Sequence, residues 1–363
     1  MDSFVEMLGN TMSKPFRVSM QIFSRPSNSI VVSRHFDRIR ATFTKHKPAI
    51  IIGEHIGSGG FADVFKATSQ YDDVTDFAIK ILRSDLLQVR RAQEYEPLEE
   101  EMRVKDTKKR FTNESYVQWD LSKSLSDAVS RSVVKVFDFG EFDNRNNYRF
   151  ILMEQMGKTL RNFLNDKNNM VDSWDMLMYK TRLMLTIAEI ISAVHTEGIF
   201  HRDIKPENIL FTRDFEPPVL GATDFWRKGT HKKITVKLAD FGTVRWMKSY
   251  TAKYDSVIIG SQFYMSPEQI YDPENIDVRT DIYSFGVVCY ELLYGVHPKN
   301  IDKNTNNVLA KIAQEKPMVR IPPRGFEALN DIIVKCMGDV LGRYQSMDQV
   351  VTDLQIFFER TSK

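Results

Sequence analysis

Three side chains able to act on a phosphoryl group stand within one short run, His201-Arg202-Asp203-Ile204-Lys205-Pro206-Glu207-Asn208. The Asp203 carboxylate can accept a proton from an attacking hydroxyl group, and the Lys205 ammonium can offset charge on the phosphoryl group in transfer. The Asn208 side-chain oxygen can ligate a magnesium ion, which prefers hard oxygen donors. A polar loop that caps a helix would explain the same letters, but not the complementary motifs found elsewhere in the chain.

The run resembles the catalytic loop H-R-D-x-x-x-x-N of eukaryotic-type protein kinases, and two further motifs resemble the same family. Asp240-Phe241-Gly242 is similar to the D-F-G motif that follows the loop, and Phe77-Ala78-Ile79-Lys80 is similar to the strand V-A-I-K. The resemblance covers about residues 50–358. It implies a two-lobed α+β fold, with a small antiparallel β lobe that holds one main helix and a larger, mostly helical lobe. It also implies ATP and Mg²⁺ as cofactors.

A glycine-rich stretch, Gly57-Ser58-Gly59-Gly60-Phe61-Ala62-Asp63-Val64, precedes the V-A-I-K-like strand. Glycines let backbone N–H groups approach phosphate oxygens closely, although a plain hairpin turn would explain this stretch equally well. The stretch resembles the kinase Gly-rich loop, with Ala62 in place of the third glycine. The nucleotide-binding residues that the resemblance implies are Ile56, Gly57, Ser58, Gly59, Gly60, Val64, Ala78, Lys80, Glu154, Met156 and Leu210.

Lys80 is expected to contact the α- and β-phosphates and to pair with a glutamate from the helix that follows in kinases. Glu114 is the predicted partner and Glu100 the alternative, although the gap from Lys80 to Glu114 is longer than usual. Gln118, one turn further along, stands where the family usually has an apolar residue. The resemblance implies that the catalytic residues are Asp203, Lys205, Lys80 and Glu114, and that the magnesium ligands are Asn208 and Asp240.

Two structural contacts of the large lobe follow from the same resemblance. Ser266-Pro267-Glu268 stands in place of A-P-E, and its glutamate is expected to pair with a buried Arg343. Asp281 matches the helix aspartate that holds the backbone of the catalytic loop in kinases. Both contacts are therefore expected to stabilise the site rather than to take part in chemistry.

The substrate class is indicated by Lys205, two residues after the catalytic aspartate as in serine/threonine kinases, and by Gly260-Ser261 followed by Tyr264-Met265. These resemblances imply transfer to Ser or Thr hydroxyls of protein substrates. Arg202 is typical of kinases that are activated by phosphorylation of the activation segment. The candidate acceptors are Thr243, Ser249, Thr251 and Ser256, of which Ser256 is the first choice.

Two other functions are compatible with parts of the pattern. A catalytically weak, pseudokinase-like scaffold predicts the loss of Lys80, Asp203, Asn208 or Asp240, and all four are present. A small-molecule phosphotransferase of the same ancestral fold would usually lack Lys205 and the Ser-Pro-Glu segment. A serine/threonine protein kinase is therefore the predicted function.

Composition argues against several other classes. The 363 residues carry a formal net charge of +2, which predicts neither a nucleic-acid partner nor an anionic membrane surface. Cys289 and Cys336 lack metal-ligand spacing and are expected to be buried free thiols. The acidic start argues against a signal peptide. The lack of an apolar run of about 18 residues argues against a membrane span. A cytoplasmic location is therefore expected.

The chain divides by composition into three parts. Residues 1–47 form a basic extension, 48–156 the predicted small lobe and 157–361 the predicted large lobe, so that the kinase domain would cover 48–361. Insertions rich in charge or in Pro and Gly are expected near 84–108 and 213–233. Helical spacing predicts a helix over about residues 111–129, after a solvent-exposed helical insert.

Overall fold

The computed structural model describes most of the chain from residue 39 onward. The described ranges are 39–47, 49–59, 62–71, 76–82, 97–142, 148–170, 172–214, 235–246, 262–302, 304–318 and 320–362. Some predicted features lie outside them, namely the extension before residue 39, residues 84–96 of the first insertion, most of the 213–233 insertion, Gly60, Ser249, Thr251, Ser256, Gly260 and Ser261. The side chain of Glu100 is also outside the described part of the chain, so the alternative partner of Lys80 is not placed.

A five-stranded antiparallel sheet forms the small lobe, in the order β1-β2-β3-β5-β4. In β2, Phe65 and Ala67 are buried while Lys66 and Thr68 are exposed, which is the period-two pattern of a half-buried strand. The predicted antiparallel β lobe is therefore confirmed. The strands are β1 (Ile50–Ser58), β2 (Ala62–Ser69), β3 (Asp76–Leu82), β4 (Val136–Phe142) and β5 (Tyr148–Glu154).

Residues 39–46 are helical (α1) and pack on this sheet. Ile39 and Phe43 are buried in the same apolar cluster as Phe142 and Phe150. The Phe43 ring meets the other two rings edge-on, at centroid distances of 5.0 and 5.1 Å. Burial of one such side chain contributes about 1.5–3 kcal/mol to stability. The small-lobe core therefore includes residues that composition alone assigns to the basic extension.

The main helix of the small lobe, α2 (Pro97–Ser122), has different bounds from those predicted. It is continuous, so residues 97–108 of the predicted insertion form its first turns. The predicted single helix over residues 111–129 is interrupted, because a separate helix α3 (Asp127–Ser132) follows a short turn. In that turn the Ser124 hydroxyl accepts a backbone N–H two residues further on, at 3.1 Å. Such bonds compete with continuation of a helix.

Helices build the large lobe around α5 (Trp174–Thr196), most of whose apolar side chains are buried. Helix α7 (Arg279–Tyr294) approaches α9 closely at Gly286, where a Cβ atom would lie 2.7 Å from the Cβ of Cys336. Cys289 and Cys336 are buried free thiols, as predicted. The other helices are α4 (Leu160–Asn165), α6 (Pro267–Tyr271), α8 (Val308–Gln314), α9 (Glu327–Cys336) and α10 (Met347–Thr361). None of the described helices is long and apolar enough to cross a membrane.

Short strand pairs on the large lobe set two loops side by side. Strand β6 pairs with β9, and β7 pairs with β8, both antiparallel. The loop between β6 and β7 therefore lies next to the loop between β8 and β9. The strands are β6 (Ile199–Phe200), β7 (Ile209–Phe211), β8 (Val236–Leu238) and β9 (Arg245–Trp246). A β-rich small lobe and a helical large lobe together confirm the predicted two-lobed α+β fold.

Candidate active site

The loop between β6 and β7 carries Asp203, Lys205 and Asn208, and the structure brings their polar ends together. Lys205 Nζ lies 2.6 Å from Asp203 Oδ2, and Asn208 Nδ2 donates to the Asp203 carbonyl at 2.9 Å. The same Asn208 nitrogen lies 3.2 Å from Asp203 Oδ2. Two donors thus orient the Asp203 carboxylate. A carboxylate held in this way can accept a proton from a hydroxyl group that approaches it.

Asp281 on α7 holds the start of this loop from inside the large lobe. Its carboxylate accepts the backbone N–H groups of His201 and Arg202 at 2.6 and 2.8 Å, and lies 2.9 Å from His195 Nε2. Burial opposes the ionisation of Asp281, but the contact with His195 and the backbone hydrogen bond from His201 keep its pKa below the usual value. These bonds offset the cost of the left-handed backbone at Arg202, whose φ is +66°.

Lys80 on β3 meets Glu114 on α2 in the interior of the small lobe. Lys80 Nζ lies 2.5 Å from Glu114 Oε1, and 3.6 Å from Asp240 Oδ1 of the loop after β8. Burial disfavours the ammonium of Lys80, but the carboxylates of Asp240 and Glu114 raise its pKa above the usual value. Burial also raises the pKa of Glu114 to about 7, against the attraction of Lys80. The predicted pair is thus formed, and Lys80 remains a cation.

Asp240 and Asn208 are adjacent because the two loops are joined through their backbones. The Ala239 N–H donates to the Asn208 carbonyl at 3.0 Å. The Asp240 side chain is 41% exposed, and its φ of +67° lies in the left-handed region. Burial opposes the ionisation of Asp240, but the charges of Lys80 and Lys205 and a backbone hydrogen bond from Gly242 lower its pKa. An ionised carboxylate is therefore presented on the cleft side of Lys80.

This donor set fits a magnesium ion. The Asn208 amide nitrogen donates to Asp203, so its side-chain oxygen is the end left for a cation. Together with Asp240 it supplies two hard oxygen ligands, which suits an ion that keeps several waters and takes its remaining ligands from phosphates. Within the described residues, no cluster of three or more His, Cys, Asp and Glu side chains is arranged to hold a metal.

The glycine-rich stretch forms the end of β1 and the start of β2. The Gly59 N–H donates to the Ala62 carbonyl at 2.8 Å, and the Ser58 hydroxyl donates to Asp63 Oδ1 at 2.7 Å. A Cβ atom on Gly57 would have no neighbour within 4 Å. The described ends of the loop, Gly59 and Ala62, are thus joined, with open space beside Gly57. That space is compatible with a bound phosphate chain.

The remaining predicted nucleotide contacts are placed on the strands next to this hairpin. Val64 pairs with Lys80 across β2 and β3, and Ala78 is only 4% exposed and pairs with Met153. Ile56 is 43% exposed on β1, and Leu210 is half-buried on β7. Contact of these four apolar side chains with an adenine ring stays a prediction.

The segment after β5 has a backbone donor that can serve a ligand. The Glu154 N–H donates to the Lys135 carbonyl at 2.9 Å, so only the Glu154 carbonyl is left for adenine. Both neighbours of Met156 have paired backbone N–H groups. The Gln155 N–H donates to a backbone carbonyl at 3.3 Å, and the Gly157 N–H donates to another at 2.8 Å. The Met156 N–H makes no hydrogen bond to any described residue. An unpaired donor between two paired ones is what adenine recognition by this segment requires.

A further network beside the catalytic loop was not predicted from the sequence. Arg161 on α4 donates to Glu207 Oε1 at 2.8 Å and to Glu291 Oε1 at 2.7 Å, and it also contacts the Tyr264 hydroxyl. Tyr264 in turn donates to Glu291 Oε2 at 2.6 Å. The network joins α4, the catalytic loop, α7 and the segment before α6. Glu207 and Tyr264 lie in motifs that were quoted for other reasons, but no local motif marks Arg161 and Glu291, which are 130 residues apart.

The predicted pair of Glu268 and Arg343 is formed. Arg343 Nη1 lies 2.5 Å from Glu268 Oε1, and the Arg343 side chain is 1% exposed. The other guanidinium nitrogens donate to the Gly338 carbonyl at 3.1 and 3.0 Å, and Nη1 also donates to the Arg279 carbonyl at 2.6 Å. The arginine is therefore fully engaged inside the large lobe and anchors the start of α6.

Arg202 contacts the backbone of the segment that follows the D-F-G-like motif. Its guanidinium donates to the carbonyls of Thr243 and Val244. The hydroxyl of Thr243 donates to the His201 carbonyl at 2.9 Å. Of the predicted phosphate acceptors, Thr243 alone lies in the described part of the chain, and its hydroxyl is held within the fold.

Comparison with known proteins identifies the family. The family model described as the protein kinase domain matches residues 50–352. The chain belongs to the protein kinase family. A probable serine/threonine-protein kinase of Clostridium perfringens is 33% identical to this kinase chain over 310 residues, which cover 83% of the chain and 37% of that protein.

Other relatives of the kinase domain carry similar names. A probable serine/threonine-protein kinase of Lactococcus lactis is 26% identical over 307 residues, which cover 83% of this chain and 40% of the relative. A serine/threonine-protein kinase of Mycobacterium tuberculosis is 32% identical over 216 residues, covering 59% of this chain and 47% of the relative. The chain thus spans less than half the length of these curated relatives.

Proposed function

We propose that this kinase domain transfers the γ-phosphoryl group of ATP to serine and threonine hydroxyls of protein substrates. The observation that carries the proposal is the convergence of Lys80, Asp203, Asn208 and Asp240 from two lobes on one cleft. The relatives in the comparison are named serine/threonine-protein kinases, and Lys205 beside the catalytic aspartate agrees with that substrate class.

Asp203 acts as the catalytic base in this proposal. Its carboxylate accepts the proton of the substrate hydroxyl as the oxygen attacks the γ-phosphorus, while the bond from phosphorus to the β-γ bridging oxygen breaks. Lys205, held 2.6 Å from Asp203, offsets negative charge on the phosphoryl group in transfer. Lys80 fixes the α- and β-phosphates, since its ammonium is held by Glu114 and Asp240.

Magnesium would be held by Asn208 and Asp240. When bound, the ion neutralises charge on the β- and γ-phosphates. Asp240 presents its carboxylate from a left-handed backbone position, and the join between Ala239 and Asn208 keeps the two ligands in register. The chain's own contribution is therefore to position both ligands before the nucleotide arrives.

Regulation by phosphorylation of the activation segment belongs to the same proposal. The Arg202 guanidinium is a cation next to that segment, where a phosphate group would compete with the carbonyls of Thr243 and Val244. Ser256 is the proposed acceptor, although it lies outside the described residues. Ser256→Ala is expected to remove activation, and mass spectrometry should detect phosphate on Ser256 of the active protein. Full activity of the variant without that phosphate would show the acceptor to be another residue or none.

A pseudokinase-like scaffold is less well supported by the structure. Its support in the sequence is the long helical region that carries Glu114, together with Gln118, the polar residue at a usually apolar position. Gln118 is 1% exposed, and its amide donates to the Val134 carbonyl at 3.0 Å. This hydrogen bond explains the glutamine by packing, so the departure gives no reason to doubt catalysis.

The deciding experiment is a phosphotransfer assay with ATP, magnesium and a generic basic protein substrate. Wild type is expected to label Ser and Thr residues, as read by mass spectrometry. Asp203→Asn keeps the shape of the side chain but removes the base, so its turnover should fall by about 100-fold or more. Asp331→Asn, on the exposed face of α9, is the matched control and should retain wild-type turnover. Equal turnover of wild type and Asp203→Asn would refute the assignment of the base.

A further inference from the structure

The large lobe contains a cavity that the catalytic site does not use. It has a volume of about 440 Å³, within the range of about 300–1,000 Å³ that is usual for sites of small organic ligands. Its walls come from the turn before α5, from α5 itself, from the end of α7 and from the segment before α9. None of the residues proposed for ATP or magnesium binding lines it.

Lys180 of α5 lines this cavity and is 1% exposed. Its ammonium makes no hydrogen bond or ion pair with any residue that the structure describes. The charged group that acts on it most is the exposed carboxylate of Asp172 at the rim, and burial lowers the pKa of Lys180. Among the described residues, Lys180 is therefore a buried cationic group without a hydrogen-bonded partner, and it lies next to an open volume.

An unpaired ammonium is an expensive group to bury. A leucine or methionine at the same place would fill the space without that cost. By contrast, Lys299, the other strongly buried lysine of the large lobe, donates to the Ile312 carbonyl. Lys180 has no such acceptor in the part of the chain that the structure describes, and its position in the wall makes the cavity the place from which an acceptor can come.

The other lining residues indicate the kind of molecule that fits. Apolar side chains make up about half of the described wall residues, and Ile321 is 95% exposed at the opening. Arg320 and Asp172 also line the cavity, and both are exposed, so solvent screens their charges. One buried ammonium balances one negative charge, whereas a phosphate dianion would need more buried donors. The apolar wall residues are Met170, Leu293, Ile321, Pro322 and Pro323.

We propose that this cavity binds a small organic carboxylate with an apolar body, whose carboxylate group pairs with Lys180. The apolar wall then covers the body of the ligand, and Arg320 lies beside the entrance. Binding requires no bond to form or break. The site is independent of phosphotransfer, because its residues and those of the catalytic loop do not overlap.

The test is calorimetric titration of the full chain with three probes of equal chain length: octanoate, octanol and octylammonium. Octanoate is expected to bind most tightly, octanol more weakly, and octylammonium not at all. Lys180→Met should weaken octanoate binding by about tenfold or more, since a charge-assisted hydrogen bond is lost. Lys316→Met, which removes an exposed lysine from the same lobe, should leave octanoate binding unchanged.

Several results would overturn the proposal. They are equal affinity for octanoate and octylammonium, equal affinity for octanoate and octanol, undiminished octanoate binding by Lys180→Met, and no octanoate binding at millimolar concentration. If Lys180→Met does not fold, the comparison of the three probes on wild type decides the question alone. Circular dichroism shows beforehand whether each variant folds. It therefore decides whether Lys180→Met can be compared with wild type, or whether the three probes on wild type are used alone.

Discussion

The Lys80 ammonium and the Glu114 carboxylate lie 2.5 Å apart although 34 residues separate them in sequence. Their side chains are 16% and 6% exposed, and Asp240 is the next nearest carboxylate, at 3.6 Å. The gap in sequence from Lys80 to Glu114 is unusually long, and the long helix α2 nevertheless brings Glu114 to Lys80. The pair directs Lys80 towards the loop that carries the proposed magnesium ligand.

Lys80→Met is expected to reduce kcat/KM for ATP by about 100-fold or more, because the variant keeps the length of the side chain and loses the charge that holds phosphates. Steady-state kinetics with varied ATP measures the effect. The matched control is Lys66→Met on the neighbouring strand β2, where the lysine is exposed and pairs with Glu54 at the surface. A fall of equal size in both variants would mean that Lys80 acts through the stability of the sheet.

Short motifs allowed most of the candidate site to be predicted. Lys80, Asp203, Asn208 and Asp240 each lie in a run of a few residues that resembles a motif of the family, so each could be found from its neighbours in sequence alone. The strands could also be predicted, since period-two burial needs only neighbouring residues. The structure brings the four side chains together as the resemblance implied.

Features that depend on distant parts of the chain could not be predicted. The Arg161–Glu291 contact joins residues 130 apart, and neither residue has a distinctive local context. A helical insert was predicted before residue 111, but its continuity with the following helix in α2 was not, because the charged sequence of the first turns has no apolar periodicity that continues into that helix. Phe43 looked like part of a solvated extension, and only its ring contacts show that it belongs to the small-lobe core.

Arg343→Met is expected to destabilise the large lobe by about 3 kcal/mol or more, because it leaves the Glu268 carboxylate without its partner in a largely buried site. Chemical denaturation followed by circular dichroism measures the change. Arg131→Met removes an arginine from an exposed pair with Asp127, so its effect should stay within about 0.5 kcal/mol. A change of that small size for Arg343→Met would contradict the structural role assigned to the buried pair.

Gln118→Leu restores the apolar residue that the family usually has, yet it is expected to destabilise the protein by about 1–3 kcal/mol. The Val134 carbonyl would lose the amide donor that lies 3.0 Å away in a buried site. Thermal and chemical unfolding measure the loss. Gln118→Glu keeps the size of the side chain and removes the donor, so it should cost at least as much. A stabilised leucine variant would show that this hydrogen bond contributes little.

His297 is buried in a position that requires its neutral form. Its Nδ1 accepts the backbone N–H of Lys299 at 3.1 Å, so the proton must be on Nε2, which donates to the Phe263 carbonyl at 2.7 Å. Burial lowers the pKa of His297 from 6.5 to about 4. The carbonyl of Phe263 and the carboxylate of Glu291 oppose this shift, while Lys299 and Lys311 add to it.

The unfolded chain therefore binds a proton at this histidine between about pH 6.5 and pH 4, and the folded chain does not. The neutral His297 makes its full contribution to the free energy of unfolding above about pH 6.5. This contribution falls as the pH drops through the window, by at most about 1.4 kcal/mol per pH unit. His297→Gln stays neutral, so its free energy of unfolding should decline less steeply than that of wild type over the same range. Urea titrations at pH 7, 5.5 and 4.5 measure both slopes. His46→Gln, at an exposed histidine, serves as the control, and parallel slopes for wild type and His297→Gln would show that the buried imidazole does not cause the acid sensitivity.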